Sequence, residues 1–184
     1  MKKYFIYAGL LAAIPLAAAS ASTLLASDGP RGKNHTRDVL NGWQENPSIV
    51  TTGSGTLELR IDDEMQTIQF ELTYSNLEGG PPSAAHIHIA SRSVNGGVSA
   101  FLCGGGGKPP CPPDGPGVTA TVTGMIVAAD VRGPVAQGVE PGSIAELIRA
   151  IRAGHTYANV HNERWPSGEI RGQINDNDQR QFDR

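Results

Sequence analysis

Aromatic side chains make up only 5% of this chain, which argues against a core built on large rings. It has no cluster of lysine and arginine interleaved with aromatics, so nucleic acid is not an expected partner. No Ser-His-Asp or Cys-His arrangement stands out, and no catalytic residue is assigned. Gly104–Gly107 lacks the strand-to-helix context and the Gly-Lys-Ser/Thr ending of a phosphate loop. Beyond the first 19 residues no apolar run is long enough to cross a bilayer. Glycine is abundant instead, with 23 residues, which suits short strands and many turns.

The N-terminus reads as an address. Lys2 and Lys3 precede an apolar run from Tyr4 to Ala19, and Ala-Ser-Ala follows at 19–21. This pattern predicts a secretory signal peptide over residues 1–21, cut near Ala19 or Ala21. The competing reading is an uncleaved anchor, but Pro15 interrupts a run already short for a span. The protein is therefore expected to be exported, periplasmic or extracellular, and not transmembrane after cleavage. Loss of Lys2 and Lys3 takes the formal net charge from −3 to −5. About 160 residues remain, enough for one domain with its own core.

Only two cysteines occur, Cys103 and Cys111. In an exported chain this spacing predicts a disulfide closing a small loop, worth roughly 2–3 kcal/mol in the loop-entropy account. A cysteine metal site would need a nearby histidine or a second cysteine pair, and neither is present.

Residues 22–36 read as a flexible leader and 175–184 as a polar tail. Between them, alternation is the main signal. Arg37–Gln44 is a candidate first strand. Thr56–Asp62 sets Leu57, Leu59 and Ile61 against polar neighbours, and Thr67–Tyr74 repeats the pattern. A polar turn joins these two into a hairpin with one buried face. Further strands are expected around His86 and His88 and over Val98–Leu102, Val118–Val127, Thr156–His161 and Gly168–Ile174. One helix is expected over Ser143–Gly154. Ser143 and Glu146 form a capping-box pattern, and Ile144, Leu147, Ile148 and Ile151 lie on one stripe. The sum is all-β: an antiparallel β-sandwich, immunoglobulin-like or Cu/Zn superoxide dismutase-like in its Greek key, with one short helix.

His86 and His88 are two residues apart in a strand, so both rings point to one face. Ala85, Ile87 and Ile89 take the other face, which leaves the rings outside the core. The same logic sends Tyr157, Asn159 and His161 outward, and likewise Glu169, Arg171 and Gln173. If these strands are neighbours, His86, His88 and His161 form a polar cluster on the outer wall. Three imidazoles suit copper or zinc and leave a coordination position open. Glu169 or Asn159 would orient a ring, and Glu45 would stand behind the site or be structural. The competing reading is three exposed histidines that merely hydrogen-bond to neighbours. His35 and His155 are further candidates, each more simply read as solvated.

Several motifs occur in a telling order: Leu40-Asn-Gly-Trp-Gln-Glu-Asn-Pro47, Gly55-Thr-Leu-Glu-Leu, the Ile68–Leu77 segment, Ala84-Ala-His-Ile-His, Gly154-His-Thr-Tyr-Ala-Asn-Val-His161 and Pro166-Ser-Gly-Glu-Ile-Arg-Gly-Gln173. Over residues 37–174 the chain resembles the CHRD (chordin-type) domain, in its bacterial exported stand-alone form. The resemblance implies an extracytoplasmic β-sandwich module. Residues 104–117 and 128–142 look like insertions into that domain. The His-x-His strand and the later Val-His also resemble the copper-ligand spacing of Cu/Zn superoxide dismutase, a likeness of spacing alone. Three functions follow as expectations. One is a binding or structural module with a surface copper or zinc site. Another is a metal-free module that binds an extracytoplasmic protein through loops 91–97 and 103–117. The last is a copper redox enzyme in which Arg171 guides anions.

Overall fold

A computed structural model describes Met1, residues 34–115 and residues 117–174. The expected signal peptide, most of the leader and the polar tail lie outside the described residues. The chain is all-β. Its strands are β1 (His35–Asn41), β2 (Ser54–Asp62), β3 (Thr67–Ser75), β4 (Pro82–Ile89), β5 (Gly97–Cys103), β6 (Ala120–Ile126), β7 (Thr156–Asn162) and β8 (Ile170–Ile174). One helix, α1 (Ile144–Arg152), precedes β7.

All neighbours are antiparallel, in the order β5-β4-β7-β8-β1-β2-β3-β6. The end strands β5 and β6 approach each other, so the sheet nearly closes on itself. The expected β2–β3 hairpin forms, with Asp62 opposite Thr67. Leu57, Leu59, Ile68 and Leu72 are fully buried in the interior. From the far side Ile87, Ala158, Val160 and Ile170 meet them in one core, and the apolar stripe of α1 closes one part of it. Cys103 and Cys111 are joined in a disulfide.

Local chemistry shifts two boundaries. The first strand stops at Asn41, whose side chain accepts a bond from the backbone N–H of Gln44 (3.2 Å) and turns Gly42–Gln44 into a 3-10 turn. The last strand starts at Ile170, after Gly168 at φ +124°, a conformation that favours glycine. The capping box also differs. Ser143 makes no side-chain cap bond, and the Glu146 carboxylate accepts from the backbone N–H of Glu140 (2.8 Å).

Candidate metal centre

β4, β7 and β8 lie side by side, and residues of one parity on each point away from the apolar core. That face carries His86 and His88 from β4, Tyr157, Asn159 and His161 from β7, and Arg171 and Gln173 from β8. Alternation assigned them correctly. The expectation that this face is an outer wall does not hold. Every residue of β7 and β8 is buried, and His88 and His161 are only 7% and 8% exposed. Three loops roof the face: 42–47, 91–96 and 163–168. The site is therefore an interior one, not a surface one. The physical cause is hydrogen bonding, because the polar face supplies donors that tie the loop carbonyls down.

The three rings converge. His86 and His161 have centroids 4.6 Å apart, His86 and His88 5.4 Å, and His88 and His161 6.2 Å. One nitrogen from each lies within 4.8 Å of the others. Zinc–nitrogen bonds of about 2.0–2.1 Å in a tetrahedron set ligand nitrogens about 3.3 Å apart. The rings therefore stand slightly open relative to an ion-bound set.

Each ring is oriented. His88 Nδ1 faces the Gly96 carbonyl (3.0 Å), and its Nε2 is buried with no hydrogen-bond partner. His161 Nδ1 faces the Pro166 carbonyl (3.0 Å). A carbonyl only accepts, so neutral His88 carries its proton on Nδ1 and its lone pair on Nε2, whereas His161 faces an acceptor at both nitrogens, Pro166 O and Asn159 Oδ1. His86 is wedged edge-on against Phe101 (4.4 Å), and its Nδ1 is buried and unpartnered. Burial lowers all three rings from the usual imidazole range. His86 is pushed down to about 3, with His161 and His88 adding to the effect. His88 falls to about 4 against the opposing bond to Gly96. His161 is lowered too, against its bond to Pro166. Neutral imidazoles with inward lone pairs are the form that binds a metal.

A stack supports His88 from behind. The ring lies parallel to Tyr157 at 4.6 Å, and the Arg171 guanidinium, from the next strand, sits 3.4 Å over Tyr157. Arg171 also donates to the carbonyls of Val94 (2.8 Å) and Ser91 (3.3 Å) and to Asn95 Oδ1 (3.2 Å). It fastens the loop that carries Gly96, and at 1% exposure it is not placed to guide anions. Gly96 itself has no room for a side chain, since a Cβ would strike the Ile89 carbonyl.

The remaining expected residues separate. Asn159 joins the cluster, with Oδ1 2.8 Å from His161 Nε2 and Nδ2 on the Ser167 carbonyl (3.2 Å). Glu45 lies behind Asn159. Its Oε1 is buried without a partner, and burial, partly offset by Arg171, raises its pKa to about 7. Glu169 contacts none of the rings. Its carboxylate accepts from Thr51 Oγ1 (2.5 Å), the N–H groups of Glu78 (2.7 Å) and Gly79 (3.0 Å), and Asn162 Nδ2. It clamps loop 77–79. His35 pairs with Glu58 (2.6 Å) and His155 with Ser91 Oγ (3.1 Å), both outside the cluster. The carbonyls of Gly96 and Pro166 were not legible in the sequence, because backbone atoms carry no residue signature.

The sequence model of the CHRD domain matches residues 37–174. No curated protein and no solved structure matches the chain.

Proposed function

We propose that this chain, which belongs to the CHRD domain family, is an exported extracellular-type module holding one copper or zinc ion on His86, His88 and His161. The observation that carries the reading is the tautomer arrangement. His88 spends its single N–H on the Gly96 carbonyl, which leaves an inward Nε2 lone pair, His161 is held between two oxygen acceptors, and His86 has an orphaned buried nitrogen. Carbonyls that orient metal-binding imidazoles in this way raise ligand basicity and fix ring direction. Three imidazoles fit zinc or copper, and either ion would supply Lewis acidity there. The chain's own residues hold the rings, exclude water and carry the roof. The redox-enzyme reading is left without its guiding cation, because Arg171 is bonded to loop 91–96.

The test is elemental analysis of protein purified without an affinity tag. One copper or zinc per chain is expected, and the His86→Ala, His88→Ala, His161→Ala triple variant should carry none. Equal metal content in the variant would sink the proposal.

A further inference from the structure

We infer that Asn159 Oδ1 is a fourth donor of this centre, making it a site of three imidazoles and one amide oxygen. The inference rests on the metal reading above and deepens it.

Asn159 is 2% exposed and lies on β7 directly opposite His86 on β4. Its oxygen is 2.8 Å from His161 Nε2. The other end of the amide is fixed. Nδ2 donates to the Ser167 carbonyl (3.2 Å). That carbonyl only accepts, so the oxygen is turned toward the rings.

A metal-binding imidazole is neutral and has one N–H. In His161 that proton faces Pro166 O, so the Nε2 lone pair faces the Asn159 oxygen, which only accepts. Moving the proton to Nε2 transfers the conflict to Pro166. Turning the amide over transfers it to the Ser167 carbonyl. Every neutral arrangement leaves one lone pair against another. A doubly protonated ring would satisfy both oxygens, but no carboxylate among the described residues pairs with His161. A cation between Nε2 and Oδ1 removes the conflict. The consequence is selectivity. A mixed imidazole and oxygen set suits zinc or copper(II), whereas copper(I) favours soft sulfur ligands.

Zinc and cobalt(II) titrations of metal-free protein test this. Asn159→Ala is expected to weaken both about 10–100-fold, and Asn159→Asp, which keeps an oxygen donor, to bind at least as tightly as wild type. Cobalt in Asn159→Ala should take up azide with a change in its visible spectrum, while the wild-type spectrum stays fixed. A second readout needs no substitution. In labelled wild-type protein, zinc should shift the Asn159 side-chain carbonyl carbon along with the three rings. An unmoved carbonyl, equal losses in the Ala and Asp variants, or an Ala variant that binds within twofold with an unchanged spectrum would each overturn the fourth ligand and leave the three-histidine centre standing. Wild-type protein that binds neither metal overturns both.

Discussion

The β2–β3 hairpin and the β4-β7-β8 segment follow the same alternating pattern and end in opposite environments. On β2 and β3 one face is apolar and buried, and the other carries Arg60, Gln69 and Glu71 into water. On β4, β7 and β8 the core face is again apolar, but the polar face is covered as well. The difference lies in what the polar residues offer. Arg171, Gln173, His88 and His161 reach loop carbonyls at Ser91, Val94, Ala90, Gly154, Gly96 and Pro166. Among the described residues Glu58 pairs with His35 and Arg60 rather than with a loop carbonyl. One sheet thus has a wet polar face and a dry one, and among the described residues the dry one brings three imidazoles together.

The largest expected effect comes from acid. In the metal-free protein His86 and His88 titrate near 3 and 4, while in the unfolded chain they titrate near 6.5. Between about pH 6.5 and 4 the unfolded state takes up protons first, so stability falls as pH falls. Glu45 has the opposite sign. It titrates near 7 when folded and near 4.5 when unfolded, so over that window acid favours the fold. The histidines outnumber it, and a net loss on the order of 3–5 kcal/mol is expected. Urea midpoints from pH 7 to 4 would show this. Glu45→Gln should steepen the loss, and His86→Gln with His88→Gln should flatten it. A wild-type profile that is level over the window would mean the polar face is not dry. Next in size is Ile87→Ala, on the core face of the same strand. It removes buried methyl groups and should cost about 2–5 kcal/mol in denaturant unfolding. Metal stoichiometry should be unchanged, since the two faces of β4 would then be separable.

Much of this was legible in the sequence, for a physical reason. Alternation is local, so Leu57, Leu59 and Ile61 on one face and His86 with His88 on another could be read off directly. The three-histidine set followed from the same rule. Whether the second face meets water depends on loops far away in sequence. Residues 91–96 and 163–168 have no period of their own, and their contribution is backbone carbonyls. Glu169 was misplaced for a related reason. It precedes the first residue of β8, so strand parity did not govern it, and donors from Thr51 and Glu78 claimed it.

Glu169→Gln ranks third. The carboxylate takes four donors, and an amide would turn an N–H toward at least one of them. A loss of about 1–3 kcal/mol in thermal or urea unfolding is expected, because a buried donor is left unpaired. A change under about 0.5 kcal/mol would instead assign Glu169 to the wet class.

The smallest effect tests the wet face itself. Glu71 is exposed on β3, and its antiparallel partner on β2 is Glu58. Glu58 is ionised at neutral pH, since the bonds from His35 and Arg60 hold its carboxyl below the usual range. Two like charges directly opposite each other are unfavourable. Glu71→Lys would turn that repulsion into attraction and should stabilise the protein by about 0.2–0.5 kcal/mol at low salt. The gain should fade toward 1 M salt, where screening shortens to about 3 Å. The sign is what matters, because on the dry face the same change, Gln173→Lys, would bury an unpaired cation beneath Ala90 and Gly154 and destabilise. If Glu71→Lys also destabilises, the contrast between the two faces is not one of hydration, and the covered face loses its distinction as the place where a ligand set can form.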